Sequence, residues 1–389
     1  MKSLVLYPYP VEYDGQSLQG HYLMRGLKEN GLEAMSCCRG DEVSKKLAYE
    51  NFKPDVVFGV GYWGDTPDLV VHPKEHGFTP VPWFNADGWV ANYHDILNKL
   101  PLILATSNWV RATYIRDGVN GDNIKVAPIG FDPGIFYPRK KYDSAVRDMR
   151  AKFGVADDEL MLLTIGGDVT SKGAQEILNG LNKIKDKIPK WKYVCKVWPS
   201  ISTRFWSKVE RKLIEEFGFQ NNVVYTKGAF PPEKMAVLIN ACDIYCAPSR
   251  LEGYGMIQLE AQACGKPVVS INVGGPVDTI VHGKTGFLAD VEYEKKLSSN
   301  WATKRMGFEK AHRIKFPEPK TFDYKADVDQ LAEALLKLMS DDKLREKMGN
   351  EAVKHALDKF TYRKTAQHIA NLAKKYVLEK QEIRVLNRN

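Results

Sequence analysis

Short apolar runs recur along the chain with helical patterns between them. Ser3-Leu4-Val5-Leu6-Tyr7 reads as a buried strand followed by a proline-rich turn. Gly15 and Gly20 precede a helical pattern that places Tyr22, Leu23, Gly26 and Leu27 on one side. Further strands are predicted at Asp55-Val56-Val57-Phe58, Val81-Pro82-Trp83-Phe84 and Leu102-Ile103-Leu104-Ala105. A charged, mixed stretch from Pro138 to Arg150 reads as a linker. The pattern then restarts at Leu160-Met161-Leu162-Leu163-Thr164-Ile165, where Gly166-Gly167 turns the strand toward a helix near Gly173. Strands follow at Tyr193 to Val197, Val223 to Tyr225, Ile244 to Ala247 and Pro267 to Ser270. Strands alternating with helices predict parallel sheets covered on both faces, so the fold class is α/β with two Rossmann-like domains. Residues 291–326 break this pattern and read as an insertion, a surface loop with one helix or a lid. Beyond them Leu331, Leu335, Leu338 and Met339 form an apolar stripe, and a last helix runs from about Tyr362 to Leu378.

Composition narrows the class. The chain has 389 residues, enough for two ordinary domains, with 44% hydrophobic and 27% charged residues. No run approaches the ~18 apolar residues of a membrane span, and the start is too weakly apolar for a signal peptide, so a cytoplasmic protein is expected. Six cysteines are too sparse for a disulfide framework. The net charge of +8 is uneven: residues 1–140 carry 14 Lys+Arg against 16 Asp+Glu, and the remainder is basic. A basic second half suits a polyphosphate ligand. The charge is too diffuse for nucleic acid, and the slightly acidic 1–140 argues against strong membrane binding through that part.

The most informative segment ends a strand and opens a helix, from Pro248-Ser249-Arg250-Leu251-Glu252 through Gly253-Tyr254-Gly255-Met256-Ile257 to Gln258-Leu259-Glu260-Ala261. Its glycines allow a sharp turn and close approach to a ligand. A helix starting near Gly255 offers free N–H groups and the positive end of its dipole to a diphosphate. Glu252 and Glu260 can both point at a ligand, where carboxylates accept from sugar hydroxyls. This stretch resembles the Glu-x7-Glu motif of retaining glycosyltransferases of family four with the GT-B fold, two Rossmann-like domains facing across a cleft. The likeness continues through Ala263-Cys264-Gly265-Lys266-Pro267, Gly274-Gly275 and Gly283-Lys284-Thr285-Gly286, and covers Gly228-Ala229-Phe230 before it.

The resemblance implies transfer of a sugar from a nucleoside diphosphate sugar to an acceptor hydroxyl, on a sugar, lipid-linked or other acceptor, with retention of configuration. By it, Glu252 holds the donor sugar and Glu260 the ribose, while Gly253, Tyr254, Gly255, Met256, Ile257, Ala229 and Phe230 line the donor. Gly166-Gly167-Asp168-Val169-Thr170-Ser171-Lys172-Gly173 also fits, and Lys172 matches the lysine that neutralises the leaving diphosphate. The family's arginine falls on Gly167, so either another cation substitutes, with Arg204 and Lys196 as candidates, or the rate suffers. Gly15 matches the glycine-rich loop that approaches the donor phosphate or the acceptor. Asn85 stands where the family has histidine and can hydrogen-bond a sugar hydroxyl but not act as a base, and Asp87 two residues on is a candidate acceptor contact or an Asx turn. The first domain is expected over 1–140, completed by the C-terminal helix 362–389, and the second over 150–361.

No metal or other cofactor is expected. The one Asp-x-Asp spelling, Asp327-Val328-Asp329, sits where helix caps are common. His72 and His76 lack companions for a ligand set. Two other functions fit the same scaffold: a nucleotide-sugar binding protein with little activity, and an epimerase or phosphorylase.

Overall fold

The structure is a computed structural model that describes residues 1–85, 88–198 and 202–379, the side chains of 202–207 excepted. It divides into two compact units. Unit 1 comprises Met1–Asp132, Leu297–Lys320 and Phe360–Asn389, and unit 2 comprises Pro133–Lys296 and Thr321–Lys359.

Unit 1 is built on six strands, β1 (Lys2–Tyr7), β2 (Glu33–Cys38), β3 (Val56–Gly61), β4 (Pro80–Phe84), β5 (Ile103–Ala105) and β6 (Ile124–Val126). They lie in the order β2-β1-β3-β4-β5-β6, every pair parallel. β3 and β4 are buried along their whole length, which accounts for their unbroken apolar runs: a parallel sheet covered on both faces leaves no polar side. The helix Gly15–Glu29 is capped by Asp14, whose carboxylate accepts from the N–H groups of Gln16 and Ser17. Gly20 is required there, since a Cβ would lie 2.2 Å from the Tyr7 ring.

The chain comes back to unit 1 at Phe360. Phe131 N donates to Phe360 O at 2.9 Å, and Tyr362 N donates to Phe131 O at 3.0 Å. The helix Tyr362–Ala373 then packs on Gly15–Glu29, with Tyr362 stacked on Tyr22 at 5.9 Å and Gly26 facing Ala366.

Unit 2 repeats the design with β7 (Leu160–Ile165), β8 (Trp191–Val197), β9 (Val223–Lys227), β10 (Ile244–Cys246), β11 (Val268–Ile271) and β12 (Gly286–Ala289). The order is β12-β11-β10-β7-β8-β9, again parallel throughout. One face of this sheet packs against the helices Ala174–Ile184 and Val328–Ser340, which bury Ile177, Leu178, Leu181, Leu331, Leu335 and Leu338. Asp327 caps the second of these helices, accepting from Asp329 N and Gln330 N, and Asp329 pairs with Lys183.

Two stretches differ from their sequence reading. The supposed linker at 138–150 runs into a helix, Ser144–Lys152, whose Arg150 is buried and donates to Ala241 O and Asp243. The insertion is a long hairpin, β13 (Val291–Ala302) with β14 (His312–Ala326). In β14 Ile314, Phe316, Phe322, Tyr324 and Ala326 share one face, but Glu318 and Lys320 interrupt that face and two prolines flank Glu318. β13 is mostly exposed, so the alternation that marks a half-buried strand is weak in the sequence. The distal part of the hairpin belongs to unit 1. There Phe316 meets Trp89 edge-on at 5.4 Å, Lys320 pairs with the buried Asp117 at 2.8 Å, and Asn92 donates to Met306 O at 3.2 Å.

Candidate functional site

In an open parallel sheet, ligands bind beyond the carboxyl ends of the strands. In unit 2 two loops leave adjacent strands at that edge, 166–173 after β7 and 247–255 after β10. The first is held by an Asx turn, with Ser171 N donating to Asp168 Oδ1 at 2.7 Å. Gly173 ends it in the left-handed region (φ +84), against the second loop: a Cβ would lie 2.3 Å from Pro248 O. The second loop ends at Gly255, also left-handed (φ +93), which precedes the helix Met256–Ala263. The first N–H groups of that helix have no intrahelical acceptor and present the positive end of its dipole.

The structure joins two of the sequence-predicted residues directly. Lys172 Nζ donates to Glu252 Oε2 at 2.6 Å, with the side chains 25% and 19% exposed. The lysine stem lies over Gly166, where a Cβ would come within 2.6 Å of Lys172 Cγ. Gly274 and Gly275 support the glutamate loop from behind. Gly275 N donates to Glu252 O at 2.9 Å, and a Cβ at Gly275 would lie 2.2 Å from Tyr254 Cα. Any side chain at 275 would push this loop out.

Glu260 is only 5% exposed, more enclosed than a residue lining an open face. Burial pushes its carboxyl up to about 8, so at neutral pH it keeps its proton. A neutral carboxyl both donates and accepts, which suits a vicinal diol. Tyr254 and Phe230 are buried, Met256, Ile257 and Gly253 half-buried, and Ala229 exposed.

Gly15 and Asn85 belong to unit 1. Gly15 is the exposed first residue of its helix in unit 1. The Asn85 amide is already engaged, donating to Gln19 Oε1 at 3.0 Å and accepting from Thr106 Oγ1 at 2.8 Å. Those contacts brace the end of β4 to the helix Gly15–Glu29. Asp87 and the Arg204 side chain lie outside the described residues.

Sequence reasoning gave Arg250 no role. Its Nη2 donates to Gln175 and Glu176, both at 2.8 Å, and its N–H donates to Ser171 O at 2.9 Å. It therefore locks the two site loops to the helix Ala174–Ile184. Its partners are distant in sequence, and no local pattern marks such a pair.

Residues 146–301 match the family described as glycosyl transferases group 1. Among similar proteins, D-inositol 3-phosphate glycosyltransferase of Corynebacterium jeikeium (strain K411) is 29% identical over 251 residues, 64% of this chain and 51% of the relative. Alpha-1,3/1,6-mannosyltransferase ALG2 of Dictyostelium discoideum is 27% identical over 222 residues, 57% of this chain and 38% of the relative. The chain thus spans about half the length, or less, of these curated relatives. Among solved structures, sucrose-phosphate synthase (tll1590) from Thermosynechococcus elongatus superposes with a TM-score of 0.72 at 17% identity, covering 96% of this chain and 99% of that one. Anabaena Alr3699/HepE in complex with UDP and glucose gives a TM-score of 0.70 at 15% identity, covering 96% and 100%. At such identities the likeness is one of fold.

Proposed function

We propose, from a chain whose residues 146–301 match the glycosyl transferases group 1 family and that folds as the two Rossmann-like units of GT-B, that this protein transfers a sugar from a nucleoside diphosphate sugar to an acceptor hydroxyl with retention of configuration. The observation that carries this reading is the Lys172–Glu252 pair beside the start of the helix Met256–Ala263, at the carboxyl edge of a parallel sheet.

The reaction breaks the bond between the sugar's anomeric carbon and the phosphate oxygen. The departing diphosphate keeps the electron pair, and the acceptor oxygen forms the new bond on the same face. The acceptor's proton passes to the departing phosphate. What the protein must supply is fixed positive potential at the diphosphate as its charge develops. Lys172 and the first-turn N–H groups at Gly255 and Met256 supply it. Glu252 takes hydroxyls of the donor sugar and Glu260 the ribose diol. In this reading the reaction needs no metal ion.

The test is a thermal-shift screen of UDP-, GDP- and ADP-sugars, followed by turnover of the stabilising donor with a panel of sugar and lipid-linked hydroxyl acceptors. At least one donor is expected to raise the melting temperature by mass action and to be consumed only when an acceptor is present. Stabilisation by none of them would overturn the reading. Release of free sugar without acceptor, or dependence on inorganic phosphate, would move it to an epimerase or phosphorylase. Binding without transfer would favour a nucleotide-sugar binding protein.

Glu260→Gln separates binding from chemistry. A ribose contact is alike in the ground and transition states, so the variant is expected to raise donor KM while kcat stays within a few-fold of the unaltered protein. It also has a stability signature. The folded carboxyl titrates near 8, above its ordinary 4.5. Below pH 4.5 it is neutral in both states. Between those values the unfolded chain ionises while the folded one holds its proton, so this group's contribution to stability falls as pH rises through the window. Glutamine removes that slope. Melting curves from pH 5 to 8.5 should show the variant gaining on the unaltered protein as pH increases. A constant offset would place the carboxyl in water.

A further inference from the structure

Lys196, the penultimate residue of β8, is fully buried, and its ammonium has no hydrogen-bond partner among the described residues. The other buried cations among the described residues are matched. Lys45, equally buried, pairs with Asp68 at 3.3 Å, and Arg150 donates to Asp243 at 3.1 Å and to Glu159 O at 2.6 Å. Lys196 faces aromatic rings instead, with Nζ 4.1 Å from the centre of the Trp198 ring and 5.6 Å from that of Phe230. The Phe230 ring also takes Lys234 Nζ at 4.4 Å and Lys152 Nζ at 5.9 Å. Ring faces attract a cation but supply no countercharge, so three ammonium groups converge on one ring. Burial pushes the Lys196 ammonium down to about 8. An unmatched buried charge is costly to a fold, and its retention calls for an anion that arrives from outside.

The position of Lys196 says which anion. Lys196 pairs with Ile165 in the sheet, and its carbonyl accepts from Gly166 N at 3.1 Å. Trp198 N donates to Gly167 O at 3.2 Å. Lys196 and Trp198 thus border the same two-glycine turn on which Lys172 rests. Gly167 itself contributes no side chain, and a Cβ there would meet only Trp198 Cδ1, at an ordinary 3.6 Å. We propose that Lys196 is a second cation for the donor's diphosphate: its ammonium leaves the indole face and donates to a phosphate oxygen, sharing with Lys172 the charge of the departing group. This rests on the nucleoside diphosphate sugar reading given above.

The experiment is calorimetric titration of the full chain and of Lys196→Met with UDP, GDP and ADP, then with the monophosphate of whichever base binds. Loss of a charge-assisted hydrogen bond to the distal phosphate is expected to weaken the diphosphate by about tenfold to a hundredfold and the monophosphate by under about threefold. Lys196→Met removes a buried charge, so its melting temperature should equal or exceed that of the unaltered protein. The double variant Gly167→Arg/Lys196→Met restores a cation at the same turn and should recover most of the diphosphate affinity. Gly167 does not need a positive φ, so an arginine fits its backbone. Diphosphate binding unchanged in Lys196→Met, or equal loss of both nucleotides, overturns the Lys196 assignment alone. If Lys196→Met does not fold, the single variant Gly167→Arg decides: a gain in diphosphate affinity of under about threefold would show that the unaltered turn already has its second cation, and a gain of tenfold or more that it lacks one. No binding of any diphosphate to the unaltered chain sinks the donor reading and this inference with it.

Discussion

Lys172→Met is expected to lower kcat by about 10²- to 10³-fold, the loss typical of removing a preorganised group aimed at developing charge. Glu252→Gln should lower it by roughly 10²-fold at saturating donor. The two side chains share one short ion pair at 2.6 Å, only partly open to solvent. Removing the lysine leaves a carboxylate with no countercharge at the place where the diphosphate gathers negative charge, so its loss is the larger. Removing the glutamate frees the lysine but takes away the acceptor for the donor's hydroxyls. In Lys172→Met/Glu252→Gln the unmatched carboxylate is gone as well. The double variant is therefore expected to be no slower than Lys172→Met alone, a strong departure from additivity within one network. Steady-state kinetics on the four proteins decides it. Losses that multiply would mean that the two residues act independently and that their contact is incidental to the chemistry.

Gly173→Ala is expected to destabilise unit 2 by about 2–5 kcal/mol, the sum of a left-handed backbone penalty and an overpacking cost. Gly173 has φ +84, and a Cβ there would lie 2.3 Å from Pro248 O and 2.9 Å from Pro248 C, backbone atoms that cannot swing aside. The 166–173 loop would have to separate from the 247–255 loop, and Lys172 would be carried away from Glu252. Donor turnover should fall with stability. Gly154→Ala is the control: its φ is +65, but nothing lies within 4 Å of a Cβ there. It should show the backbone penalty alone, about 1–2 kcal/mol, with turnover intact. Thermal melts and turnover on the two variants make the comparison. Similar destabilisation in both would show that the two loops do not press on each other at Gly173.

Local pattern determined a good part of this molecule. The runs at Leu4 to Tyr7, Val56 to Phe58, Leu160 to Ile165 and Val268 to Ser270 became strands because a doubly covered parallel sheet demands unbroken apolar segments, and such segments stand out against polar surroundings. Strands without that mark escaped notice. β2 is a sheet edge with polar positions, β6 has three residues, β13 is mostly exposed, and the apolar face of β14 is interrupted by Glu318 and Lys320. The Glu252–Glu260 segment was legible because a loop, a glycine and a helix start must be contiguous to make an anion site. What only the tertiary structure decided is which distant groups meet. Lys172 reaches Glu252 across 80 residues of chain, Arg250 finds Glu176 across 74, and Lys196 finds no partner among the described residues. The raised titration of Glu260 belongs here too, since burial is a property of everything packed around it. Periodicity and turn chemistry act over a few residues, so one chain segment carries them. Charge pairing, desolvation and close approach act through space, and the sequence holds them only through the fold.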